Sequence, residues 1–378
     1  MTEAIFRNAR IVLADEIVEG SLASSDGLIT AIEAGPALTG ENLDGDYLIP
    51  GLVELHTDHL ESHYRPRPGV FWDAMAALHA HDVQISGSGI TTVFDAVRIG
   101  SDLDMPQMRE HAGRLVEAVR DARGAGWLRS DHLIHLRCEL PSADVTEHFE
   151  SFVDHPTTRL ISLMDHTPGQ RQFTSLETYK LFYKKQLGVT QDEVERYLAA
   201  ALAQHERYAA PNRRHLVARA RALNLAMASH DDATLAHVEE AVEDGVAIAE
   251  FPTTLEAASA AHDAGLAILM GAPNVVRGKS HSGNISATDL VRAGLLDILS
   301  SDYVPFALLQ AAFVLPQRVD GLGLPQALAT VTSNPARAAG LDDRGEIAIG
   351  KRADLVRVKM VGNLPVVRGV WRQGNRVS

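Results

Sequence analysis

The chain has 378 residues, of which 46% are hydrophobic and 22% charged, the composition of an ordinary globular protein. Its 49 acidic residues outnumber 35 basic ones, a formal net charge of −14. That balance argues against nucleic acid or an anionic membrane as a partner. A phosphorylated substrate stays open, because it needs only a local basic cluster. A single Cys138 cannot form an internal disulfide, so a small buried hydrophobe in a reducing cytoplasm is expected. Arg7, Arg10 and Asp15 interrupt every early apolar run, which excludes a signal-peptide pattern, and no apolar stretch is long enough to span a bilayer.

Residues 1–49 read as short strands between turns: AIFRNARIVL, EIVEGSLASSDGLITAIEAG, then YLIPG. The stretch from 343 to 378, GEIAIGKRADLVRVKM and NLPVVRGVWRQGNRVS, has the same character. The two ends are expected to meet as one small β-domain. Between them, residues 50–342 alternate. LIPGLVELHTD, ITTVFDAV, HLIHLRCEL, RLISLMDH, NLAMASHD, VAIAEFP, LAILMGAPN and LLDILSSD are eight apolar runs of strand length. Helical segments such as TLAHVEEAVEDG and TLEAASAAHDAG separate them, each ended by glycine. Eight βα repeats predict a (β/α)8 barrel with its site at the C-terminal ends of the strands. The competing doubly wound sheet lacks a G-x-G-x-x-G fingerprint.

The strand ends carry the chemistry. His56 and Asp58 are two apart and share a face if extended. Asp95, Glu139, Asp165 with His166, His230 with Asp231, Glu250, Asn274 and Asp302 follow at later strand ends. A ring of His, Asp and Glu is the ligand set of one or two divalent cations, zinc foremost, with manganese or iron open. A second H-x-H, His79 and His81, lies in AMAALHAHDVQ, where helical spacing separates the two faces. That pair is read as structural, with His81 or Asp82 able to support the site from outside.

These motifs resemble the amidohydrolase superfamily over nearly the whole chain: PGLVELHTD, SHDD, SSDYVP, TSNPARAAGL and GEIAIGKRADLV. The resemblance implies a metal-bearing barrel beside a β-sandwich built from both chain ends. It also departs from the pattern, since Asp58 stands where a second histidine is usual. LRCELP, SLMDHTPGQRQF, ASHDDAT, AEFPTT, MGAPNVVRGKSHSGN and LLDILSSDY resemble one branch in particular, the diphosphatases of the carbon–phosphorus lyase pathway. That branch implies hydrolysis of a ribose 1-phosphonate 5-triphosphate to the 5-phosphate and pyrophosphate, beside other enzymes of phosphonate breakdown.

Many relatives bridge two metals with a modified lysine, but the first lysine here is Lys180, so the first four strands supply none. Glu139 is the expected replacement, or else it pairs with Arg137. His230 is expected as a ligand, with Asp231 drawing in the cation or orienting the imidazole. His166 either binds metal or touches substrate, Asp165 supports from behind, and Glu250 completes the shell or is structural. The resemblance assigns Asp302 to the metal and to taking a proton from water. A substrate's phosphates would meet Arg65 and Arg67, Arg171, and the loop bearing Arg277, Lys279, Ser280 and His281. Opening of a cyclic amide, or deacylation of an N-acyl sugar, is the alternative chemistry, and an inactive binding scaffold is a third. Self-association is left open.

Overall fold

The computed structural model describes residues 3–101, 108–171, 190–278 and 284–378. Two sheets organise them. The first joins β1 (Glu3–Val12), β2 (Ile17–Ser25), β3 (Leu28–Ala34), β4 (Glu41–Asn42) and β5 (Tyr47–Pro50) to the C-terminal β14 (Leu355–Val361), β15 (Leu364–Arg372) and β16 (Asn375–Arg376). β5 pairs antiparallel with β14, so the two chain ends do meet in one sheet. Phe6, Ile11, Leu22, Ile29, Leu48, Leu355 and Trp371 pack as its core, with the Phe6 and Trp371 rings edge to face at 4.8 Å.

The second sheet runs β6 (Leu52–Thr57), β7 (Ile90–Ile99), β8 (Asp131–Glu139), β9 (Thr158–Met164), β10 (Ala226–His230), β11 (Ile248–Glu250), β12 (Ala267–Gly271) and β13 (Ile298–Ser300) in chain order. The strands are parallel, with helices between them. At its ends Thr57 bridges Asp302 in parallel register, which brings the first strand to the last and makes a near-closed (β/α)8 barrel. The eight strands are those the apolar runs predicted. Helix starts follow the capping rule: the hydroxyls of Thr234 and Thr254 accept the backbone N–H of His237 and Ala257. Gly245 and Gly265 end those helices at φ +67° and +82°, where glycine carries no steric cost.

By contacts the chain divides into two compact units, residues 1–95, 118–133 and 270–378, and residues 96–117 and 134–269. In the first, Gly51 passes from β5 to β6 so tightly that a Cβ there would lie 2.2 Å from Thr91 Oγ1. The same unit ties its C-terminal strands to β8 through Asp131, which pairs with Arg344, Arg352 and Arg372 at 2.8, 2.7 and 3.0 Å. Among the described residues no helix is long and apolar enough to cross a membrane.

Candidate metal centre

In the second unit, strand alternation sends His135, Arg137 and Glu139 of β8 to one face. Glu139 is buried and receives three donors: the His166 backbone N–H at 3.0 Å, His166 Nδ1 at 2.6 Å and Arg98 Nη2 at 3.1 Å. Burial opposes its charge most strongly, yet His166 and Arg98 overcome burial and hold the carboxyl at about 2. Burial likewise resists a charge on His166, and the Glu139 carboxylate outweighs it, raising the imidazole's pKa. Arg98, on β7, was not foreseen; its only sequence signal is its place near the end of an apolar run.

His230 closes β10. Its ring stands edge-on to His166 with centroids 5.6 Å apart, and its Nδ1 lies 3.2 Å from Glu250 Oε2. Glu250 also faces His135 Nε2 at 3.8 Å. Asp231 is buried behind His230, with Oδ2 3.7 Å from His230 Nε2. Ligand atoms of His166, His230 and Asp231 all lie within 4.8 Å of one another. Burial above all, with the charge of Asp232, pushes the Asp231 carboxyl up to about 6 against the pull of His166. Its Oδ2 has no hydrogen-bond partner among the described residues. A buried carboxylate oxygen beside two imidazoles is what a divalent cation would satisfy, so these residues fit the metal that the sequence implies.

Asp232 points elsewhere. It accepts the Ser229 hydroxyl at 2.5 Å and pairs with Arg171, whose other nitrogen reaches Glu240 at 2.6 Å. Arg171 is thus buried between two carboxylates. Asp165 accepts His205 Nδ1 at 2.7 Å and the Thr167 N–H at 3.0 Å. His205 is thereby committed to a carboxylate.

In the first unit, His56 is buried at the end of β6, and its N–H donates to Glu54 Oε1 at 2.7 Å. Glu54 has no exposed surface, and it also receives the Ser300 hydroxyl at 2.7 Å and the Ser301 N–H at 2.5 Å. Burial raises its pKa despite those bonds. Ser300 Oγ accepts the Asp302 N–H at 3.1 Å, and Thr57 Oγ1 donates to the Asp302 carbonyl at 2.8 Å. One buried carboxyl thereby fixes the backbones that present His56 and Asp302. Sequence reasoning missed Glu54, although a charge inside LVEL on the face of His56 was the available signal. Asp58 is half-buried at the start of the helix His59–Tyr64.

Asp231 and Phe251 follow β10 and β11 directly and Asp302 lies two residues past β13, and each is left-handed, at φ +56°, +53° and +54°. Non-glycine residues rarely adopt this conformation, and such outliers cluster at functional sites. The Phe251 ring packs edge-on against His230, 5.4 Å between centroids.

Arg65 and Arg67 are exposed, with the Arg65 guanidinium 5.9 Å from the Phe71 ring centre. Arg277 is exposed at the end of the helix Ala272–Arg277, which follows β12. Lys279, Ser280 and His281 lie outside the described residues. His79 is exposed, whereas His81 and Asp82 are fully buried. Asp95 sits within β7 rather than at its end, accepting His81 Nε2 at 2.8 Å and His132 Nδ1 at 2.7 Å. His132 Nε2 reaches Asp82 at 3.2 Å. This buried His–Asp network is a structural unit.

The amidohydrolase family profile matches residues 47–377. Over 376 residues, 99% of this chain and 100% of the relative, the sequence is 46% identical to the alpha-D-ribose 1-methylphosphonate 5-triphosphate diphosphatase of Escherichia coli strain K12. It is 36% identical to the dihydroorotase of Methanopyrus kandleri over 102 residues, 22% of this chain and 23% of that one. Among solved structures, the 5-methylcytosine deaminase from Klebsiella pneumoniae superposes with a TM-score of 0.66 at 16% identity, covering 99% of this chain and 98% of that one. The N-acetyl-D-glucosamine-6-phosphate deacetylase from Mycobacterium smegmatis gives 0.64 at 17%, covering 99% and 100%. Those two likenesses speak to the fold alone. The chain belongs to the amidohydrolase family.

Proposed function

We propose that this chain hydrolyses α-D-ribose 1-(alkyl)phosphonate 5-triphosphates, the methylphosphonate among them, to the 5-phosphate and pyrophosphate, with one or two divalent ions bound. The observation that carries the reading is 46% identity across 99% of the chain to a diphosphatase of that substrate. The stretch shared with a dihydroorotase spans 22% of the chain and supports common ancestry more than common chemistry.

The proposed ligands are His56, Asp58, Glu139, His166, His230 and Asp302, with Asp231 and Asp165 in support. When bound, the ion lowers the pKa of a water toward ~7 and offsets charge on phosphoryl oxygens. Asp302 takes the water's proton. The water oxygen bonds to the α-phosphorus, the α–β bridging bond breaks, and pyrophosphate departs with the electron pair. Glu54 keeps Asp302 placed through Ser300. Exposure supports Arg65, Arg67 and Arg277 as phosphate contacts, with Lys279, Ser280 and His281 beside the last. Arg171 would have to leave Asp232 and Glu240 to join them.

The same proposal covers the domain division, a β-sandwich from residues 1–49 and 343–378 beside a barrel of 50–342, supported by the sheet the chain ends share. It also covers a cytoplasmic setting, supported by the single buried thiol of Cys138, whose pKa burial raises. The test is turnover of ribose 1-methylphosphonate 5-triphosphate beside dihydroorotate and N-acetylglucosamine 6-phosphate. Pyrophosphate release with no amide cleavage is expected; amide cleavage alone would overturn the reading.

A further inference from the structure

Two ligand-bearing loops of the second unit meet at a charged pair that the proposed chemistry leaves unused. After β9 the chain passes Asp165 and His166, turns where the Gln170 N–H donates to the Thr167 carbonyl at 3.0 Å, and reaches Arg171. After β10 it passes Asp231 and reaches Asp232. Arg171 Nη1 donates to Asp232 Oδ1, and both residues are buried. Asp232 Oδ2 accepts the Ser229 hydroxyl at 2.5 Å, and its carbonyl accepts the N–H of Thr253, three residues past the end of β11, at 2.9 Å. One residue thereby ties together the ends of β9, β10 and β11, where His166, His230 with Asp231, and Glu250 stand.

The backbone explains how two adjacent aspartates take different duties. Asp231 is left-handed, at φ +56°, and its N–H donates to the Glu250 carbonyl at 2.9 Å. That turn leaves the Asp231 carboxylate beside His230 and His166, while the next carboxylate goes to Arg171. Aspartate tolerates the left-handed region but does not favour it, so neighbouring contacts have to hold it there. The second arm of Arg171 reaches Glu240, on the helix Leu235–Glu243, at 2.6 Å, and Glu240 meets Arg213 at 3.0 Å. The Arg171 charge is therefore balanced within the protein. Drawing it out to a phosphate would leave Asp232 buried without its cation, the costly way to break a buried pair.

We propose, resting on the reading that a divalent ion binds among His166, His230 and Asp231, that the Arg171–Asp232 pair is a clasp that positions His166 and Asp231 for it. Both members are positioning residues, and Arg171 is not a phosphate contact. Because the loops after β9 and β10 converge on this one pair, loosening either member frees both loops at once. Partners outside the ligand set act on metal affinity in this way, through the placement of the ligands.

The test uses the whole protein, stripped with a chelator and titrated with Co²⁺, following its visible absorption. Asp232→Asn and Arg171→Met should each raise the Co²⁺ dissociation constant ~10–100-fold, the usual loss when a ligand's outer partner is changed. Arg171→Lys, which keeps a cation for Asp232, should fall between Arg171→Met and wild type. Wild-type affinity in all three variants would overturn the clasp and leave the metal centre standing, whereas a wild type that takes up no Co²⁺ would remove the centre and the clasp with it. A measurement without variants is phenylglyoxal labelling of Arg171 in the stripped wild-type protein, read by mass spectrometry. Coupling is reciprocal, so saturating Co²⁺ should slow that labelling by the same ~10–100-fold, and by more than that of Arg213, which is also buried but pairs with Glu240 and Asp244. Labelling unchanged by Co²⁺, or slowed by pyrophosphate without metal, would overturn the clasp.

Discussion

Replacing His132 by leucine should remove a specific pH dependence from the stability of this protein. His132 and Asp95 have no exposed surface, and their ring nitrogen and carboxylate oxygen are 2.7 Å apart. Burial opposes charge on both, but their mutual attraction and hydrogen bonds win, so the imidazole stands at about 9 and the carboxyl at about 2. Against unfolded values near 6.5 and 3.9, each of these differences corresponds to ~3 kcal/mol at 1.36 kcal/mol per pH unit. They describe one interaction seen from its two ends and are not added. The raised His132 contributes stability that is complete below pH ~6.5 and is lost as pH rises through ~9. The depressed Asp95 contributes above pH ~3.9 and is lost as pH falls toward ~2. Urea unfolding at pH 6 and pH 9.5, on wild type and His132→Leu, isolates the first window. The wild type should lose ~2–3 kcal/mol more than the variant between the two pH values, because other titrating groups cancel in the comparison. At pH 6 the variant itself should be ~3–5 kcal/mol less stable, as expected when one partner of a buried pair is removed. Parallel pH profiles for the two proteins would refute an ion pair here.

Asp302→Asn keeps shape and removes the base, so turnover should fall at least ~10²-fold while bound metal, measured by plasma mass spectrometry, is largely retained. His56→Ala and His230→Ala should each lower bound metal, and full occupancy in both would remove them from the ligand set. Arg277→Ala should raise KM more for the triphosphate than for the corresponding diphosphate; equal effects would detach it from the phosphate chain. Glu54→Gln replaces an acceptor with a donor facing buried N–H groups and should cost ~1–3 kcal/mol in urea unfolding. It should also lower kcat by misplacing Asp302, and an unchanged kcat would separate Glu54 from the site.

The barrel was legible because each strand is a short apolar run and helices such as Leu235–Glu243 and Leu255–Asp263 begin at a threonine cap and end at glycine, signals that act locally. The meeting of the chain ends was legible from composition alone. Glu139, His166, His230 and Asp231 were found because polar residues stand out at the end of apolar strands. Glu54 and Arg98 escaped for the opposite reason, being charges inside or beside apolar runs whose partners come from other strands. The partners of Arg171 escaped as well, since a loop arginine reads as free until Asp232 and Glu240 are placed against it. Asp95 read as a strand end, but β7 continues to Ile99 and turns its carboxylate to His81 and His132. The left-handed turn at Phe251 leaves no trace in residue type, because only the folded backbone imposes it, whereas Asp231 and Asp302 are of a type that tolerates that conformation.

The most direct test of the proposed activity is phosphorus NMR of the products formed from α-D-ribose 1-methylphosphonate 5-triphosphate by the metal-loaded enzyme. Hydrolysis at the α-phosphorus predicts one equivalent of pyrophosphate and a 5-phosphate, with the phosphonate resonance intact. In water enriched in oxygen-18 the label should enter the 5-phosphate and not the pyrophosphate. Orthophosphate with a 5-diphosphate, label in the pyrophosphate, or an unchanged triphosphate would contradict the account.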